Sequence, residues 1–249
     1  MLDQWNRDED MGHIIFVPFI AGWIAWRDRE RWLREVRPTW WGFVPLALAA
    51  LLGYVANAGA GKFASGSALL CAVAGIILIL GGPGALRGLA FPLVLLLFML
   101  PKLAIVYNQI TLPMQLLATR LAEGVLSAGG LHVVRSGNIL QLPTFSVSVV
   151  EACSGIRYLL SLSFLAVVYA DFAGSGVWIR LATVAAMAPI AILANALRVA
   201  ATALLGTANA KWAEGPVHEA CGWAIFVAAM AAGVGVHWMM VRARKGARA

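Results

Sequence analysis

Long runs of uncharged apolar residues, of which 89–100 and 182–196 are the plainest, constrain this chain more than anything else in it. Crossing the hydrocarbon of a bilayer takes about 20 mostly apolar residues in one helix, and such runs recur along the sequence. Composition agrees: 61% of the 249 residues are apolar and 12% are charged, where a soluble domain carries charge on about a quarter. The expected fold class is an all-α polytopic membrane protein. Ten Trp residues suit the aromatic belts of membrane–water interfaces.

The apolar runs predict seven spans, at about 13–26, 40–58, 64–80, 88–106, 154–170, 178–205 and 218–241. A net charge of +7 in a soluble protein would suggest nucleic acid. Here the Lys and Arg lie between apolar segments, where they set orientation and meet anionic lipid. Membrane lipid is therefore an expected partner and nucleic acid is not. Segments 27–39, 81–88, 171–180 and 242–249 hold 11 of the 19 Lys and Arg. The positive-inside rule makes them cytoplasmic, with the N-terminus outside and the C-terminus inside. The first dozen residues are polar and acidic, so no cleavable signal peptide is read there. Cys71, Cys153 and Cys221 give neither a CxxC pair nor an even-numbered disulfide framework.

The first span is the weakest. Residues 14–26 give roughly 20 Å of helix, short of a bilayer core unless flanking residues extend it. A place partly in the interface, or a further helix before it, is the expectation. The longest stretch outside the spans, about 107–152, is read as an extracytoplasmic insertion within a single membrane domain, 1–249. Residues 111–128 suit an amphipathic surface helix. Two β-prone runs around Ser136-Gly137-Asn138 predict a small hairpin, and a further alternating run, 145–150, leads to Glu151.

Three polar sites interrupt the apolar sequence. The first is Glu151-Ala152-Cys153-Ser154-Gly155-Ile156-Arg157, at the outer start of the fifth span. A cysteine at a helix N-terminus sits at the positive end of the helix dipole, which favours its thiolate. Arg157 is one turn on from Cys153, shares its face and pushes the same way. The bland alternative is a small buried cysteine beside an ordinary N-cap, Ser154. The second site is Asn195-Ala196-Leu197-Arg198, whose two polar residues share a helical face. A cation at that depth is costly unless paired or in a wet cavity, although a snorkelling interfacial Arg is the plain reading. The third is His218, after Gly215-Pro216, a residue type suited to proton transfer near neutral pH. Cys221 shares its face, but no third or fourth ligand stands at a zinc-site spacing, so neither metal nor cofactor is expected. In the predicted topology Cys153, Arg198 and His218 all fall at the outer membrane boundary. A nucleophile, a cation and a base at one depth are the parts of thiol-based acyl transfer.

These residues resemble the exosortase/archaeosortase family, with Cys, Arg and His on successive late helices. The Glu151–Arg157 heptapeptide carries most of the likeness. Gly12-His13 with Pro18, then Trp26-Arg27 into a basic loop, is similar to the family's early segment, although Ile14 stands where Gly is commoner. Members usually have about one more N-terminal helix, and some carry an appended soluble domain. The resemblance implies a multi-pass protein of the bacterial cytoplasmic (inner) membrane. Its activity would be that of a cysteine peptidase or transpeptidase acting through a thioacyl-enzyme. Its substrates would be exported proteins whose C-terminal signal has a short motif (Pro-Glu-Pro in one class), a transmembrane helix and a basic tail. Water or an amine on a surface glycan or lipid would take the acyl group. In that scheme Cys153 is the nucleophile, His218 the general base and acid, and Arg198 the stabiliser of oxyanion or thiolate. Glu151, Ser154, Gly155, Arg157 and Asn195 surround them.

Three other classes fit parts of the pattern. A transporter would line a path with Asn195, Arg198 and His218, but it calls for polar groups at mid-membrane depth, where only Cys71 and Ser163 stand out. An export-complex scaffold would not need Cys153. A membrane acyltransferase would use the same thiol on lipid.

Overall fold

The computed structural model describes residues 14–100, 104–150, 153–174 and 176–246, which fall into two compact units, Met1–Tyr107 and Asn108–Ala249.

In the first unit, helix α1 is Phe16–Arg27 and the short α2 is Arg29–Leu33. Asp28 joins them, and Arg27 grips its carboxylate from Nε and Nη2 at 2.8 and 3.0 Å. That contact holds the carboxyl below its ordinary pKa. Arg27 also lies over the Trp23 ring and Arg29 over Trp26, at 5.5 and 4.6 Å. Cations laid on indole rings at a helix end are the local form of a membrane-interface anchor. A short 3₁₀ turn, Trp40–Gly42, opens α3, Phe43–Val55. The chain continues through a π turn, Ala56–Ala60, into α4, Gly61–Gly88, which breaks at Gly82 just before Pro83. Helix α5 is Ala90–Leu96, followed by a 3₁₀ turn, Leu97–Met99.

The second unit takes up most of α6, Ala104–Ala128, then three short strands: β1 Val134–Ser136, β2 Ile139–Gln141 and β3 Ser146–Ser148. They form an antiparallel sheet in the order β1-β2-β3, with Arg135 opposite Leu140 and Leu140 opposite Val147. Leu140, Leu142 and Val149 are buried against Ala118, Ala122 and Leu126 of α6. Three helices complete the unit: α7 Ile156–Phe172, α8 Val177–Ala208 and α9 Gly215–Gly246. Val199, Ala200 and Ala203 of α8 join the cluster under the sheet. A second apolar cluster links Tyr158, Leu162 and Ala166 of α7 with Met187, Ala191 and Ala194 of α8 and Ala229 of α9. Short connections and this shared core make α7, α8 and α9 successive antiparallel neighbours. The start of α7, the end of α8 and the start of α9 therefore meet at one end of the unit.

Among the described residues, four helical segments are long and apolar enough to cross a membrane: Trp40–Gly59, Gly61–Gly88, Val177–Ala208 and Gly215–Gly246. The other three expected spans are shorter. Helix α1 has 12 residues and α7 has 17. The fourth expected span, 88–106, does not run as one helix. Leu100 is extended, as the residue before a proline tends to be because the pyrrolidine ring disfavours its helical conformation, and the apolar helix ends at Met99. Residues 111–128 correspondingly form the later part of a 25-residue helix rather than a separate element.

Candidate functional site

The chain enters the site from the sheet. β3 leads to the buried Val149, and Cys153 donates its N–H to the Val150 carbonyl at 2.9 Å. Helix α7 starts at Ile156, and its N-cap is Gly155 in a left-handed conformation, φ 87°. Ser154, the N-cap of the bland alternative, is buried, with its hydroxyl 3.5 Å from the Ile156 N–H. Cys153 thus stands in the turn before the helix rather than on its first turn. The one-turn relation between Cys153 and Arg157 lapses with that, because a positive φ interrupts the helical path between them. Arg157 is half-buried in the first turn of α7, while Glu151 lies outside the described residues.

Gly155 is dictated by more than its φ. A Cβ there would come within 2.9 Å of the Asn195 carboxamide carbon. The space it leaves admits the Asn195 side chain, 1% exposed, whose Nδ2 donates to the Cys153 carbonyl at 2.8 Å. Asn195 therefore fixes the backbone of the cysteine turn from the neighbouring helix. The Cys153 side chain is half-buried and packs on the apolar cluster beneath the sheet.

One turn further along α8, Arg198 Nη2 lies 3.0 Å from His218 Nε2 on α9. Arg198 also lies over the Tyr158 ring, 5.7 Å from its centroid, and Tyr158 donates its hydroxyl to the Gly222 carbonyl at 2.8 Å. The start of α7, the end of α8 and the start of α9 are thereby joined through polar contacts. His218 Nδ1 is 3.1 Å from Thr202 Oγ1, and Thr202 donates its own hydroxyl hydrogen to the Arg198 carbonyl at 2.9 Å. Two buried polar atoms have no protein partner among the described residues: Asn195 Oδ1 and Arg198 Nε. Leaving such groups unsatisfied costs about 1–3 kcal/mol each, and a native structure keeps that cost where a ligand or water can relieve it.

Of the residues singled out from sequence, Arg198 and His218 are in direct contact, and Asn195 is bonded to the Cys153 backbone. The Cys153 thiol makes no hydrogen bond to Arg198 or His218 among the described residues. Both ring nitrogens of His218 are engaged, Nε2 with Arg198 and Nδ1 with Thr202. No set of three or more His, Cys, Asp or Glu able to hold a metal occurs among the described residues. Sequence reasoning missed Thr202 and Tyr158. Thr202 is four residues after Arg198, hence on its face, and that spacing was the available signal. It also missed His237, 3% exposed at the other end of α9, where it is 2.9 Å from Thr183 Oγ1 and edge-on to Tyr169.

What this arrangement offers chemically is a half-buried thiol, a guanidinium with one buried N–H to spare and an imidazole held at both nitrogens. No curated protein and no solved structure matches the chain. A family model described as transmembrane exosortase matches residues 5–235. That span takes in most of each unit together with Cys153, Asn195, Arg198 and His218, and the multi-pass membrane protein described here belongs to the transmembrane exosortase family.

Proposed function

We propose that this protein is a cysteine peptidase or transpeptidase that processes the C-terminal sorting signals of exported proteins through a thioacyl-enzyme. The observation that carries the reading is the Arg198–His218 contact at 3.0 Å, beside a cysteine turn held by Asn195 of the same helix face. Family membership supports it as a whole.

The hydrogen-bond pattern suggests how the groups divide the work. Arg is a donor only, so His218 Nε2 accepts from it and carries a lone pair, as a base must. As the substrate carbonyl arrives, the guanidinium turns from Nε2 toward the carbonyl oxygen and uncovers that lone pair. Cys153 then passes its proton to the lone pair, and its sulfur forms a bond to the scissile carbonyl carbon, whose π electrons move onto oxygen. The developing oxyanion meets the unpartnered Nε–H and freed Nη2–H of Arg198, which are charge-assisted donors, and protonated Nε2 repels the guanidinium and keeps it there. Collapse of the tetrahedral species breaks the C–N bond, and His218 returns its proton to the leaving amine. Water, or an amine on a surface glycan or lipid, then attacks the thioester with His218 again accepting the proton; the C–S bond breaks, and the Cys153 sulfur leaves as thiolate and takes that proton back from His218. Ser154 and Arg157 complete the surroundings of the cysteine turn, and Glu151 serves as a supporting residue in this reading.

We place the reaction at the extracytoplasmic face of a bacterial cytoplasmic membrane, with the basic C-terminal end inside, in accord with the Lys and Arg distribution. Co-expression with an exported protein bearing a short motif, an apolar helix, a basic tail and a C-terminal tag tests the proposal. The wild type removes the tag and Cys153→Ala does not. Removal by both, or by neither, overturns it.

A further inference from the structure

Thr202 bridges the two residues assigned the acid–base and charge-stabilising roles. It is buried, one turn beyond Arg198 on α8. Its single hydroxyl hydrogen is committed to the Arg198 carbonyl at 2.9 Å, the back-bond that threonine commonly makes within a helix. Toward His218 Nδ1, 3.1 Å away, its oxygen can therefore only accept. Nδ1 must carry the hydrogen, and Nε2, which faces the donor-only guanidinium of Arg198, must carry the lone pair. The three distances form one directional chain: Arg198 to Nε2, Nδ1 to Thr202, and Thr202 to the Arg198 carbonyl.

We infer that Thr202 is the positioning residue of this site, the group that fixes the tautomer and ring orientation of His218. The inference rests on the catalytic reading of His218 given above and assigns a residue that reading does not need. The reason for a second hold is temporal. While Arg198 sits on Nε2 it selects the same tautomer, but at that moment the lone pair is occupied and His218 is idle. Once the guanidinium turns to the substrate, Thr202 is the contact that keeps the hydrogen on Nδ1 and the lone pair aimed from Nε2. A hydroxyl suffices where other cysteine and serine hydrolases use an amide or carboxylate. It places no charge in an apolar bundle, and its own hydrogen is anchored in the helix backbone.

Thr202→Val keeps the branched shape and removes the oxygen, and Thr202→Ser keeps the oxygen and removes a methyl group. In detergent-solubilised full-length protein with ¹⁵N-labelled histidine, the imidazole nitrogen shifts of His218 report the tautomer directly, His218→Gln supplying the assignment. With Arg198→Met removing the donor that holds Nε2 at rest, the Thr202 and Thr202→Ser proteins should show hydrogen on Nδ1, and Thr202→Val a mixture of tautomers. Processing of the tagged substrate should slow about 10- to 100-fold in Thr202→Val, in kcat rather than KM, and recover to within a few-fold in Thr202→Ser. An unchanged tautomer and rate in Thr202→Val, or a Ser variant as impaired as Val, overturns the assignment. If Cys153→Ala shows no role in processing, the catalytic reading falls by itself, and the nitrogen shifts still decide whether Thr202 sets the tautomer.

Discussion

Arg198 is engaged on one nitrogen of its guanidinium and open on another, with Nη2 on His218 and the buried Nε without a protein partner. A lysine at this position keeps the charge and loses the planar fork, so it can satisfy one direction at a time. Arg198→Lys should cut the rate of signal removal at least about 100-fold, in the range of a lost oxyanion donor. A loss of only a few-fold, measured on the same tagged substrate, would mean that charge alone suffices. Gly222 guards the open nitrogen. A Cβ there would lie 3.2 Å from Arg198 Nε and 3.5 Å from the Tyr158 hydroxyl, so Gly222→Ala should slow processing while membrane insertion and thermal stability in detergent change little. At this scale the sequence was informative about residue types that apolar helices rarely tolerate: an arginine and an asparagine inside an otherwise uncharged run, and a histidine where the last run begins. Thr202 and Tyr158 went unseen because such residues are ordinary in membrane helices, and only a partner on another helix makes them specific.

Between elements, two devices hold the site in register. The first is the Tyr158–Gly222 hydrogen bond between α7 and α9, buried and 2.8 Å long. Tyr158→Phe removes it and leaves the Gly222 carbonyl in an apolar setting, so the melting temperature in detergent should fall by the equivalent of about 1 kcal/mol. No shift in melting would mean that the helices are held by their apolar core alone. The second is the left-handed turn at Gly155, which seats Asn195 under the cysteine turn. Gly155→Ala combines a strained φ with a clash, and it should destabilise the protein by about 1–3 kcal/mol. That turn also explains where element-level reading of the sequence went astray. Hydropathy carried the fifth helix back to Ser154, whereas the positive φ starts it at Ile156. In the same way hydropathy ran the fourth span through Pro101, where the extended Leu100 ends it.

For the molecule as a whole, the distribution of Lys and Arg makes a prediction independent of catalysis. A green fluorescent protein fused after Ala249 should fluoresce, as it does on the cytoplasmic side, and alkaline phosphatase fused there should be inactive. The reverse result would turn the proposed orientation over and put the site on the cytoplasmic face. Sequence alone determined that the chain is helical and membrane-bound, because burial in lipid imposes apolar runs of a fixed minimum length that no local rearrangement can disguise. It also determined which rare polar residues interrupt those runs, because each carries a desolvation cost that demands a reason. Tertiary structure decided the rest: that Arg198 meets His218, that Asn195 reaches back to the Cys153 carbonyl, and that the Thr202 hydroxyl meets the imidazole. Each of these contacts joins residues from different helices or from a helix and a turn. Their geometry depends on how α7, α8 and α9 pack, and a helical period read along one segment carries no information about its neighbour.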